Sequence, residues 1–135
     1  MLTAAMIVGA SIEFAAWLFA ALSLVVGLFH LAAIGGAPVG HLTMGGRWPG
    51  VLPPAARVAS ALSTVLMLAM SLIVLARSGA IELVLPGWCS HVVLGYLALA
   101  IVMHVATPSA AERKLWLPVI LGLTAAAVWV EFEAP

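Results

Sequence analysis

Apolar residues fill long stretches of this chain, and charged residues are confined to the breaks between them. Four runs with almost no interior charge lie at about 12–34, 57–77, 89–106 and 115–132, each near the roughly 20 residues that cross a hydrocarbon core. They are rich in Leu and Ala and do not alternate strictly every two residues, which argues for helices and against the strands of an outer-membrane barrel. Lipid offers the backbone no hydrogen-bond partners, so a spanning segment must satisfy its own N–H and C=O groups, as a helix does. The breaks carry turn chemistry. Gly35-Gly36 and Pro38 end the first run, Ser78-Gly79 the second, Pro86-Gly87 precede the third, and Thr107-Pro108 close it. Ser109 followed by Glu112 is a capping-box pattern that starts the fourth helix in the aqueous interface. The expected fold class is all-α, a transmembrane four-helix bundle in one domain spanning 1–135, with a long ordered first loop.

Composition narrows the function classes. Of 135 residues, 65% are hydrophobic and 7% charged, against roughly 45–50% and about 25% in soluble domains, which excludes a water-soluble monomer. Five Lys and Arg balance five Asp and Glu, leaving no basic face for a nucleic acid backbone. Arg47 and Arg57 flank the first loop and Arg113 and Lys114 the third, while the opposite side has only Arg77. This asymmetry is expected to place both termini outside the cytoplasm. Trp17, Trp88 and Trp129 then mark the outer ends of the spans and Trp48 and Trp116 the inner ends, as two aromatic belts. No basic residue precedes Arg47, so the first run is expected to be a retained span and not a signal peptide. Cys89 is alone, which excludes an internal disulfide and a CxxC site.

Helices associate in lipid through small residues and a few interhelical hydrogen bonds. Ala16, Ala20, Ser23, Gly27 and His30 form such a stripe on the first span, Ser60, Ser63, Thr64, Met67 and Ser71 on the second, and Gly122, Ala125, Ala126 and Trp129 on the fourth. Gly27, Ser60, Ser63 and Gly122 are the expected packing positions. The segment Gly35 to Pro54 is half Gly and Pro but also contains Val39, Leu42, Met44, Trp48, Val51 and Leu52. Those apolar groups predict an ordered loop folded over the bundle end, with Arg47 and Trp48 at the headgroups.

Around this loop the chain resembles a widespread set of small, uncharacterised bacterial four-helix membrane proteins. The shared pattern is GAP-x-G-x-L-x-x-GG-x-x-x-G-x-LP, here Gly36 to Pro53, followed by Arg57-Val58-Ala59-Ser60. A V-L-A-R-S/A-G exit spans Val74 to Gly79, and S-x-x-E-R-x-L/M-W-x-P-V spans Ser109 to Val119. The resemblance covers most of the chain and implies the four-span architecture without transferring an activity. His104 stands where those relatives tend to carry Asn, which speaks against a family-wide metal ligand there.

Ionisable side chains inside spans are costly and are functional candidates. His30 and His104 lie at similar depth near the inner ends of the first and third spans, with His41 in the loop on the same side. Two imidazoles on facing helices are the ligand set of a b-type haem, with Gly27 leaving room for the porphyrin. His30, His41 and His104, with Glu112, are the alternative set for a metal ion. Polar packing across the bundle explains the same histidines without any ligand. His91, beside Cys89 and Trp88, belongs to the outer face. Catalysis is not expected: Cys89 and His91 form no established nucleophile pair, and Glu131 and Glu133 are placed at an exposed tail. The preferred expectation is a non-catalytic accessory subunit of a larger, energy-converting membrane complex, or a homo-oligomer, with bound lipids. A haem or metal protein and a small oligomeric transporter or channel are the alternatives.

Overall fold

The computed structural model describes residues 3–135. Its four helices are α1 (Ala4–Ile34), α2 (Pro54–Ser78), α3 (Trp88–Ala106) and α4 (Ala110–Glu133), and all four are long and apolar enough to cross a membrane. Among the described residues there is no strand. The first helix starts well before residue 12 because Ala4 to Ala10 carry no Pro, tolerate the single Gly9, and are capped by Thr3, its Oγ1 accepting from the Met6 N–H. At 1.5 Å per residue α1 is about 47 Å long, so part of it extends beyond a hydrocarbon core of about 30 Å.

Sequence punctuation ends the helices where expected. Gly35 caps α1 and Gly36 follows at φ 97°, while Gly79 ends α2 in the left-handed region at φ 79°. Pro54 opens α2 at a first-turn position where a missing N–H costs nothing. The helices pack in antiparallel hairpins, α1 with α2 and α3 with α4, joined mainly by α1 against α4. Contact between α2 and α3 is sparse compared with that inside either hairpin. The centre is apolar, with Phe19 fully buried among Ala16, Met70, Val93, Leu97, Leu123 and Val130.

Three arginines each close a helix end they do not belong to. Arg57 in the first turn of α2 donates to the Ile34 carbonyl at the end of α1 (3.3 Å) and to the Leu52 carbonyl (2.9 Å). Arg113 in the first turn of α4 donates to the Val105 and Thr107 carbonyls at the end of α3 (3.2 and 2.9 Å). Arg77 at the end of α2 donates to the carbonyls of Glu131, Ala134 and Pro135 at the end of α4. Each cation thus meets carbonyls left without intrahelical partners at the negative pole of a helix dipole.

Small-residue packing follows the predicted stripes on α1 and α2, where Ala16, Ser23, Gly27, Ser60, Met67 and Ser71 are buried. A Cβ at Gly27 would lie 4.0 Å from Thr64 of α2, and one at Gly122 would lie 3.2 Å from Leu22 of α1. The α4 stripe needs correction. Ala125 and Trp129 are exposed, Ala126 is buried as expected, and the buried face runs through Trp116, Ile120, Leu123, Ala126, Ala127 and Val130. Most hydroxyls of the spans do not cross between helices as expected: Ser63, Thr64, Ser71 and Thr124 each donate to a carbonyl four residues back, while Ser11 of α1 does accept from the Trp129 indole N–H of α4. Close approach and dispersion, more than side-chain hydrogen bonds, therefore hold the spans together.

Candidate ligand cavity beneath the loop

The first loop is ordered, as its apolar residues predict. Two short 3-10 turns, Gly40–Leu42 and Met44–Gly46, are closed by the Gly40 N–H donating to the Gly50 carbonyl (2.9 Å). Val39, Met44 and Trp48 pack on a small cluster of Ala33, Leu52 and Ala56. Arg47 is exposed, its guanidinium carbon 5.1 Å from the centre of the Trp48 ring. Space at Gly40 is absolute, since a Cβ there would collide with the Trp48 carbonyl. Three successive residues, Met44 (φ 52°), Gly45 (φ 70°) and Gly46 (φ 69°), are left-handed. For Met44 this costs about 1–3 kcal/mol.

The first turns of α4 hold that strained turn in place. Glu112 is only 6% exposed, and its Oε2 accepts from the Gly45 N–H and the Thr107 hydroxyl, both at 2.8 Å. Ser109 donates to the His41 carbonyl (2.8 Å), and the Trp116 indole N–H donates to the Leu42 carbonyl (2.7 Å). The capping box is thus half formed. Ser109 Oγ accepts the Glu112 N–H (3.2 Å), but the Glu112 carboxylate reaches the loop instead of returning to the cap. The buried Trp116 is correspondingly a bundle residue and not a member of an aromatic belt.

Under this roof all four helices surround a cavity of about 230 Å³. Its walls are aromatic and aliphatic, with Phe29, Tyr96 and Trp116 beside Val26, Met67, Leu97 and Ile120, and Thr43 and Met44 close the top. Phe29 and Trp116 meet edge to face at 4.7 Å. His30, His104 and Glu112 bring polar atoms to the same space. His30 Nδ1 is buried and has no hydrogen-bond partner. His104 Nδ1 lies 2.8 Å from the Ala100 carbonyl; a carbonyl only accepts, so Nδ1 carries the proton and a neutral ring leaves Nε2 as an acceptor. That Nε2 stands 3.9 Å from Glu112 Oε1, beyond the 2.7–3.2 Å of a direct bond.

Of the sequence candidates, His30 and His104 reach one cavity, as their matching depth predicts, and Ser63 lines it too. His41 does not join them. Its side chain is exposed and only its carbonyl takes part, because the 3-10 turn points the ring outward. No group of three or more His, Cys, Asp or Glu among the described residues is placed to hold a metal ion. The cavity also falls below the about 300–1,000 Å³ of ordinary small-molecule pockets, so a porphyrin would require the roof to move. Gly27 does not line this cavity; it faces Thr64 and a groove between α1 and α2.

A second cavity, of about 520 Å³, lies at the end of the bundle that carries the termini. There Glu131 departs from its expected place in an exposed tail. Its Oε2 pairs with Arg77 Nε at 3.2 Å, and its Oε1 is 3.5 Å from His91 Nε2. Sequence reasoning had the means to find this pair: Arg77 is the one cation of that end, and Glu131 sits at the matching depth of a neighbouring span. It also missed the roles of Glu112 and Tyr96, of which only the acid was signalled, by its place at the start of a span. No protein family, no curated protein and no solved structure matches the chain.

Proposed function

We propose that this four-span membrane protein binds a small hydrogen-bonding molecule in the cavity beneath its first loop. The observation that carries the reading is the convergence of His30, His104 and Glu112, with His104 Nε2 3.9 Å from Glu112 Oε1, on a mostly apolar, aromatic space. Buried polar atoms normally find partners, and intramembrane histidines cluster where function requires them. The excess of Arg and Lys at the loop end supports a cytoplasmic location for the cavity. Native mass spectrometry of the full chain from mild detergent tests the reading. A small non-covalent adduct is expected on the native chain and not on Ser63→Phe, which fills the cavity; identical spectra for the two would overturn it.

A second reading, an accessory subunit of a larger membrane complex, is favoured by a lipid-facing groove between α1 and α2. Ser23 lines this groove, is 3% exposed, and has a hydroxyl with no partner. Extraction under native conditions should then bring down a membrane partner, whereas a lone homogeneous monomer counts against the role.

A further inference from the structure

We infer that the cavity selects a ligand that donates a hydrogen bond from a flat ring: a hydroxylated aromatic group of a lipid-soluble molecule, such as a phenol or quinol head. The inference rests on the binding reading above and adds the chemical class of the ligand.

The selection follows from what the site already uses. His104 spends its Nδ1–H on the Ala100 carbonyl, so that in the neutral ring Nε2, 3.9 Å from Glu112 Oε1, is an acceptor. Glu112 spends Oε2 on Gly45 and Thr107 and presents Oε1 to the same gap. Two acceptors 3.9 Å apart repel unless a hydrogen lies between them, and at that separation neither can supply it directly to the other. A hydroxyl seated in the gap has one hydrogen to give, to one of these acceptors or shared between the two. A carbonyl or ether oxygen would add a third lone pair and be rejected, because a site built around a donor leaves its own buried acceptors unpaired when the donor is missing.

The remaining walls choose the rest of the molecule. Phe29, Tyr96 and Trp116 offer ring faces and edges to a planar group. At about 230 Å³ the cavity has room for one ring and not for a long tail. The tail belongs between α2 and α3, which both line the cavity and touch each other little. His30 lines the cavity from the α1 side.

The test compares para-hexylphenol with its methyl ether, which has the same ring and tail but no donor, by isothermal titration calorimetry on the full chain in lipid nanodiscs. The native chain is expected to bind the phenol at least tenfold more tightly than the ether. His104→Leu should erase that preference, and Ser63→Phe should abolish binding of both. Equal affinities in the native chain, with both still lost in Ser63→Phe, would overturn the donor rule and leave the binding reading standing. Binding of neither compound, or equal binding in Ser63→Phe, would overturn the assignment of this ligand class to the cavity. In that case the mass-spectrometric comparison separately decides whether the cavity holds anything.

Discussion

At the residue scale, Glu112 is the side chain on which the loop end depends. It is a carboxylate at the start of a membrane span that accepts from a backbone N–H in a left-handed turn and from a threonine hydroxyl. Replacing it with Ala strands both donors in a buried setting, for which about 2–4 kcal/mol is expected. Thermal unfolding in detergent, together with faster protease cutting between residues 35 and 53, would register that loss. Glu112→Gln, which keeps one accepting oxygen, should lose only about 1 kcal/mol. Gly40 supplies a contrasting case in which the limit is space and not charge. Gly40→Ala should prevent the loop from closing because its Cβ has no room beside the Trp48 carbonyl, whereas Gly50→Ala, with nothing within 4 Å, should be neutral by the same assay. The Glu112 network was only half legible in the sequence. The spacing from Ser109 announced a helix start, but local spacing cannot reveal that the carboxylate turns toward a residue 67 positions away.

At the scale of elements, hydropathy and turn residues carried most of the information. Four long apolar runs admit one backbone solution in lipid, and Gly35, Gly79 and Ser109 stop or start helices through backbone geometry that is local by nature. What stayed hidden was facing. On α4 small residues were a misleading guide, since large ones, Trp116, Ile120 and Leu123, turned out to face the bundle. Apolar residues on a lipid-facing surface and apolar residues in the interior look alike in a sequence, so periodicity is faint where both sides of a helix are greasy. The start of α4 provides a test at this scale. Ser109→Ala removes both the acceptor for the Glu112 N–H and the donor to the His41 carbonyl. A loss of about 1–2 kcal/mol is expected, seen as a lower midpoint of thermal unfolding with the other three helices still formed by circular dichroism.

For the whole molecule, the arginines that point to topology are also structural clamps, and the two roles separate experimentally. Lysine keeps the charge that orients a span but loses the planar fork that reaches several carbonyls at once. Arg57→Lys, Arg77→Lys and Arg113→Lys should therefore each weaken the fold by about 1–2 kcal/mol without inverting it. Orientation can be read by maleimide labelling from either side of the membrane in a Cys89→Ser background, using His41→Cys and Glu133→Cys, both at exposed positions. The two sites should react from opposite sides, with the loop site inside. The distribution of the clamps bears finally on biogenesis. One arginine closes the first pair of helices and one closes the second, while at the end bearing the termini the pairs meet through Arg77 and through the Trp129 indole donating to Ser11. Each pair can thus settle as a unit while leaving the insertion machinery, with docking of the two as a later event. Fragments 1–82 and 83–135, divided in the exposed connector and produced together, should find each other in the bilayer and rebuild the native protein.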